Sequence, residues 1–184
     1  MGGLAGDALT TGGENVAMGV LALSTEDTGR KNVAIGTQAL MVQNRDIDNY
    51  NTAVGYLTGR SITTSTRNTL IGAVVGDAIT EGYNNTGLGY SALGADTLGQ
   101  GSTALGYAAL MNQNFTTATD TNNTAVGILA GNQVTTGKGN TFIGSKAGDA
   151  ITTGSYNIAI GSQALTNDDL GSHSVAIGRM ALEN

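Results

Sequence analysis

Asn123-Thr124-Ala125-Val126-Gly127-Ile128-Leu129-Ala130-Gly131 decides the fold of this chain, because close relatives of it recur along all 184 residues. Its first five residues return at Asn15–Gly19, Asn32–Gly36, Asn51–Gly55, Asn68–Gly72, Asn85–Gly89, Ser102–Gly106, Asn140–Gly144, Asn157–Gly161 and Ser174–Gly178. Successive starts lie 17, 19, 17, 17, 17, 21, 17, 17 and 17 residues apart, so the period is 17, with insertions within 41–50 and 111–122. Leu4–Gly12 matches Lys146–Gly154 in phase. The chain therefore reads as a single repeat domain over 1–184: a truncated coil at 1–14, then ten coils over 15–184.

With Asn123 and its equivalents as position 1, each column has a physical character. Position 2 is always β-branched and position 4 always aliphatic or Met, while position 3 is mostly Ala, with Leu70, Gly87 and Phe142 as exceptions. That alternation is the period of two of a β-strand. Position 5 is Gly in all ten copies (Gly19, Gly36, Gly55, Gly72, Gly89, Gly106, Gly127, Gly144, Gly161, Gly178), which suits a corner with positive φ or a close backbone approach. Ala dominates position 8, so a second short strand is expected after the corner. Position 9 is either Gly, followed by an aliphatic at position 12 (Leu9, Ile62, Ile79, Val134, Ile151), or Leu (Leu23, Leu40, Leu93, Leu110, Leu165, Leu182). In regular-length coils of the second kind, position 12 is acidic: Glu26, Asp96 or Asp168. One large apolar side chain per coil, drawn from either place, implies a shared core site that must be filled.

One such coil cannot bury its apolar face alone, whereas stacked coils share a continuous core. The expected fold is all-β, a parallel β-solenoid or β-roll of about eleven 17-residue coils. At about 4.8 Å per rung it would be roughly 50 Å long. Asn15, Asn32, Asn51, Asn68, Asn85, Asn123, Asn140 and Asn157 are expected to form an internal ladder of amides.

Composition narrows the function. The chain has no Cys, Pro or Trp, a net charge of −6 and 12% charged residues. Eight scattered Lys and Arg offer no basic patch, so nucleic acid is not an expected partner. No apolar run reaches the ~18 residues of a membrane span, and direct membrane insertion is not expected. The only His is His173, and no nucleophile and base converge, so no enzyme activity and no cofactor are expected. Asp7, Asp77 and Asp149 share position 10. One carboxylate per coil on nonadjacent coils is a poor cage for six to eight oxygen ligands, so they read as solvated loop residues rather than a metal site.

The Asn/Ser-Val/Thr-Ala-Ile/Val-Gly-x-x-Ala unit resembles the head repeat of trimeric autotransporter adhesins, the YadA-like head, and related repeats of bacteriophage tail fibres. The likeness spans residues 2–184, is specific in the first eight positions and weak in the longer loops. It implies a left-handed roll, homotrimerisation, display on a bacterial surface or virion, and binding rather than catalysis. The partners so implied are the chain itself and a cell-surface receptor or glycan.

The Ala column (Ala17, Ala34, Ala53, Ala104, Ala125, Ala159, Ala176) suits close subunit approach, or equally tight packing within the coil. The Thr column (Thr52, Thr69, Thr86, Thr103, Thr124, Thr141) is read as an internal β-branched ladder rather than an ice-binding row, because Val or Ile replaces it at both ends. Tyr56, Tyr90 and Tyr107 at position 6 suit either sugar stacking or subunit packing. Recognition is expected on the insertions, since binding groups favour loops held by a rigid scaffold. These carry Arg45, Asp46, Ile47, Asp48 and Tyr50 in the first, and Asn114, Phe115 and Thr116 in the second. The chain begins near position 4 and stops at position 11 of a coil; it is expected to be cut from a longer fibre or to stack end to end. A self-assembling filament without a receptor is the alternative reading, and an ice- or surface-binding solenoid a third.

Overall fold

The computed structural model describes residues 2–167 and 171–183; Asp168 lies outside them. Twelve strands carry the chain, in order Val16–Met18 (β1), Val33–Ile35 (β2), Thr52–Val54 (β3), Thr69–Ala73 (β4), Thr86–Tyr90 (β5), Gly99–Gln100 (β6), Thr103–Leu105 (β7), Thr119–Asp120 (β8), Thr124–Val126 (β9), Thr141–Ile143 (β10), Ile158–Ile160 (β11) and Val175–Ile177 (β12). Ten of them form one parallel sheet in the order β1-β2-β3-β4-β5-β7-β9-β10-β11-β12, and β6 pairs with β8 separately. This is the parallel β-solenoid that the repeat predicts, with about nine turns where about eleven coils are expected.

Register follows the repeat at every rung. Position 2 stands on position 2 across the regular coils (Thr69↔Thr86) and across both insertions (Val33↔Thr52, Thr103↔Thr124). The extra residues are therefore absorbed in the return loop and leave the sheet undisturbed. Below β1, Gly6 N–H donates to Ala22 O at 2.9 Å and Thr10 N–H to Asp27 O at 2.8 Å, which stacks the opening half-coil in the same phase.

Both reasons for glycine at position 5 operate together. Gly127 has φ 138°, and a Cβ there would sit 2.5 Å from Gly144 O on the next rung. Any side chain would part the coils.

The core is narrow. Ala at position 3 and Ala at position 8 are buried, with one large side chain per coil: Leu23, Leu40, Leu93, Leu110 and Leu165 from position 9, or Ile62, Ile79, Val134 and Ile151 from position 12. The exceptions at position 3 complete the filling. Phe142 lies between two coils with Gly at position 9, within 2.7 Å of where a Cβ on Gly131 would stand and 2.4 Å of one on Gly148. Leu70 does the same between Gly59 and Gly76, and Gly87, one rung above, makes room for Leu70 and Val75.

Two expectations are corrected. No regular second strand follows the corner; only β4 and β5 run on to position 6. Position 7 (Leu57, φ 57°; Leu129, φ 58°) and position 9 (Leu23, φ 51°; Gly131, φ 57°) are both left-handed, so the chain coils sharply instead of extending. The Thr column is not the internal ladder expected, and of the two readings of the Ala column the structure takes packing within the coil. The Ala column points into the coil and is buried, so it is not available to a neighbouring subunit. The β-branched column at position 2 and the aliphatic column at position 4 point outward, and the six Thr are half-buried or exposed on the outer surface. The physical reason is width: the lumen is already filled by the Ala methyls with the large side chains of positions 9 and 12, and with Leu70 and Phe142 where glycine coils adjoin, so the bulkier pair has no room inside.

Candidate interaction surfaces

The sheet's outer face is the first candidate. Columns 2 and 4 comprise fourteen aliphatic or Met side chains and six Thr, with no charge among them. Val16, Met18, Ile71, Leu88, Ile143, Ile158, Val175 and Ile177 are exposed, the last at 67%. Ten rungs at about 4.8 Å give a strip roughly 43 Å long. With side chains about 10 Å across, it covers on the order of 400 Å², the size of exposed apolar patch that marks an interaction surface.

The insertions are the second candidate, and both rest on one device. In each, a buried acid at position 12 of the coil before receives a Gln at position 12 of the inserted coil, and that Gln receives the ladder Asn of the coil after. In the first, Gln43 Nε2 donates to Glu26 Oε2 at 3.1 Å and Asn51 Nδ2 donates to Gln43 Oε1 at 3.0 Å. In the second, Gln113 Nε2 donates to Asp96 Oδ2 at 2.5 Å and Asn123 Nδ2 to Gln113 Oε1 at 2.8 Å. The acids also gather backbone donors: Gly29 and Arg45 N–H reach Glu26 at 2.8 and 3.3 Å, and Gly99 and Phe115 N–H reach Asp96, both at 3.1 Å. Such full satisfaction is what lets a carboxylate sit inside. Burial nevertheless pushes the Asp96 carboxyl above its usual range, opposed by these hydrogen bonds. Sequence reading recognised the acids and missed the two Gln, although column 12 held the signal: an acid followed one coil later by Gln.

The expected recognition residues divide by exposure. Arg45, Asp46, Ile47 and Tyr50 are exposed and Asp48 is half-buried. Lys31 Nζ meets Asp48 Oδ2 at 2.7 Å and lies 5.2 Å from the Tyr50 ring centroid. That hydrogen bond holds the Asp48 carboxyl below its usual range and the Lys31 amine above its own. Thr28 Oγ1 donates to Asp46 at 2.5 Å, and Arg45 reaches the Thr64 carbonyl. In the second insertion Asn114 and Thr116 are exposed, but Phe115 is only 7% exposed and packs beneath its loop, so it is not offered to a partner.

The Asn column is internal, yet it works differently from an amide-to-amide ladder. Nδ2 donates to the position-15 carbonyl of its own coil (Asn140 to Gly154 O, 2.9 Å), and Oδ1 accepts the N–H of position 1 on the next coil (Asn157 N–H, 2.9 Å). Asn15, Asn51, Asn68, Asn85, Asn123 and Asn157 close their coils alike. Asn32 alone of the column has an unpartnered Nδ2, because the first insertion removes the carbonyl it would meet.

The third surface is the position-6 column, where Tyr56, Tyr90 and Tyr107 are exposed and the last two are stacked. Asp77 and Asp149 are half-buried, and burial raises both carboxyls. Among the described residues no three potential metal ligands cluster, and no helix is long and apolar enough to cross a membrane. Comparison with known protein families, curated proteins and solved structures finds no match to this chain.

Proposed function

We propose that this chain is the β-solenoid shaft or head of a homotrimeric fibre, displayed on a bacterial surface or virion, that adheres to a cell-surface receptor. The observation that carries the reading is the uncharged outward strip of columns 2 and 4. Left in water, that strip is a standing cost of about 25 cal/mol per Å² of apolar area, which a second and third copy of the same strip remove. Association would leave the insertion loops free, with Arg45, Asp46, Ile47 and Tyr50 on the surface. Sedimentation of the chain is expected to give a trimer, and Leu88→Lys together with Ile71→Lys a monomer with unchanged β-sheet circular dichroism. A monomeric parent at high concentration would overturn the assembly. Loss of cell binding on trimming the insertions would put the receptor contact on them, retention would put it elsewhere on the roll, and no cell binding by the parent chain would favour a receptor-free filament.

One observation favours a second reading. Six Thr on successive rungs, outward and about 4.8 Å apart beside an aliphatic column, form a flat ordered row suited to ice. A monomer with thermal hysteresis would select it.

A further inference from the structure

We propose that the corner column at position 6 holds a sugar-binding slot, formed by Tyr56 and Tyr90 as walls and Ala73 as floor. The inference rests on the adhesive part of the reading above and places a carbohydrate contact on the corner, away from the insertions.

The three residues stand on consecutive rungs. Val74 N–H donates to Tyr56 O at 2.9 Å, Ser91 N–H to Ala73 O at 3.0 Å, and Ala73 is in register with Tyr90. All three tyrosines project outward, at 56%, 54% and 53% exposure for Tyr56, Tyr90 and Tyr107. Where two tyrosines occupy adjacent rungs they stack: Tyr90 and Tyr107 have centroids 5.6 Å apart and planes 10° from parallel. Tyr107 thereby buttresses Tyr90. On the other side of Tyr90 the column is interrupted by a methyl group. Two rungs separate Tyr56 from Tyr90, about 9.6 Å, so a ring seated midway lies about 4.8 Å from each, within the 4.5–7 Å range of aromatic stacking. The missing aromatic rung is therefore the thickness of one guest ring.

The surroundings choose the guest. Residues 55–57, 72–74, 89–91 and 106–108 contain no charged side chain, and the chain carries −6 overall, which disfavours an anionic ligand. A neutral hexopyranose fits: its two C–H faces lie against the aromatic walls while its hydroxyls stay in water at the open edge. A single ring held this way binds in the millimolar range, and copies of the chain in one fibre raise the effective affinity by avidity.

The test uses saturation-transfer NMR on the whole chain with methyl β-D-glucopyranoside and methyl β-D-galactopyranoside. Transfer to the ring protons of at least one is expected, reduced at least tenfold in Tyr56→Ala and in Ala73→Tyr. The second variant is the decisive one, because it keeps every aromatic face and only fills the slot, completing a stack that Tyr90 and Tyr107 already show to be compatible with the rung spacing. Undiminished transfer in Ala73→Tyr, or none in the parent chain, overturns the proposal. So does a change of oligomeric state in Ala73→Tyr by sedimentation, which would make the slot a subunit contact. The assembly itself is read from Leu88→Lys and Ile71→Lys, so the two proposals fail separately.

Discussion

At the scale of single residues, the coil is governed by volume. Left-handed backbone at position 9 costs a leucine roughly 1–2 kcal/mol and a glycine almost nothing. Leu23, Leu40, Leu93, Leu110 and Leu165 accept that cost because they fill the lumen; the glycine coils avoid it and are filled from position 12. Where two glycine coils adjoin, the deficit is met from the strand by Phe142 or Leu70. Phe142→Ala should therefore cost about 3–5 kcal/mol, at the upper end of large-to-small substitutions, because its own coil and the coil before it both carry Gly at position 9, at Gly148 and Gly131, and leave nothing to fill the gap. Denaturant titration measures it. A loss under about 1 kcal/mol would mean that Ile151 and Val134 re-pack into the space.

At the scale of the element, each insertion is held by the coil before it, through the Gln and the backbone N–H of Arg45 or Phe115. The buried carboxylate gives this arrangement a pH signature. Burial raises the Asp96 carboxyl above its usual 3.8, so the folded state binds that proton more tightly than the unfolded chain does. Its contribution to stability is complete below 3.8 and is lost as pH climbs through the raised value. Asp96→Asn has no proton to lose, so the parent's melting temperature should fall relative to the variant as pH rises above about 4. A difference that is flat across this window would show that the donors from Gly99, Phe115 and Gln113 cancel the cost of burial. Lys31 and Asp48 carry shifts of opposite sense, but on the exposed surface, where such pairs contribute little.

Much of this level is legible in the chain. The strands, the glycine corner, the either-or anchor of positions 9 and 12 and the in-phase stacking all follow from the period. Which side of the strand faces in does not: alternation defines two faces, and Ala17 through Ala176 looked as suitable for a neighbouring subunit as for a lumen. The second strand failed because leucine at Leu23 or Leu40 gives no local hint of left-handed backbone, which only the closure of the coil imposes. Phe115 read as an exposed recognition residue because an insertion suggests a free loop, and Asp96 fastens this one inward. Gln43 and Gln113 were visible in column 12 but carry meaning only when stacked on the acids.

At the scale of the whole molecule, every coil touches only its neighbours, so stability is a sum of rungs and not of one central core. The outward strip is uncharged along its whole length but not uniform. Position 2 holds Val or Ile at rungs β1, β2, β11 and β12 and Thr in the middle, so in the trimer proposed above copies aligned end to end would match like with like.

The Asn column has a mechanical consequence. Its bonds and those of the sheet run along the long axis, so a pull on the ends of the shaft loads the rungs in series and the weakest one yields first. Among the coils that another coil follows, two lack the standard clasp: the one opened by Asn32, whose Nδ2 is unpartnered, and the one opened by Ser102, which has no amide at all. Both are the coils that carry the insertions. In single-molecule stretching, extension should begin at those coils, and Ser102→Asn should not strengthen its rung unless a carbonyl is restored opposite it. In the fibre proposed above, the insertion-bearing coils would be where a load first draws out chain, leaving the remaining rungs closed.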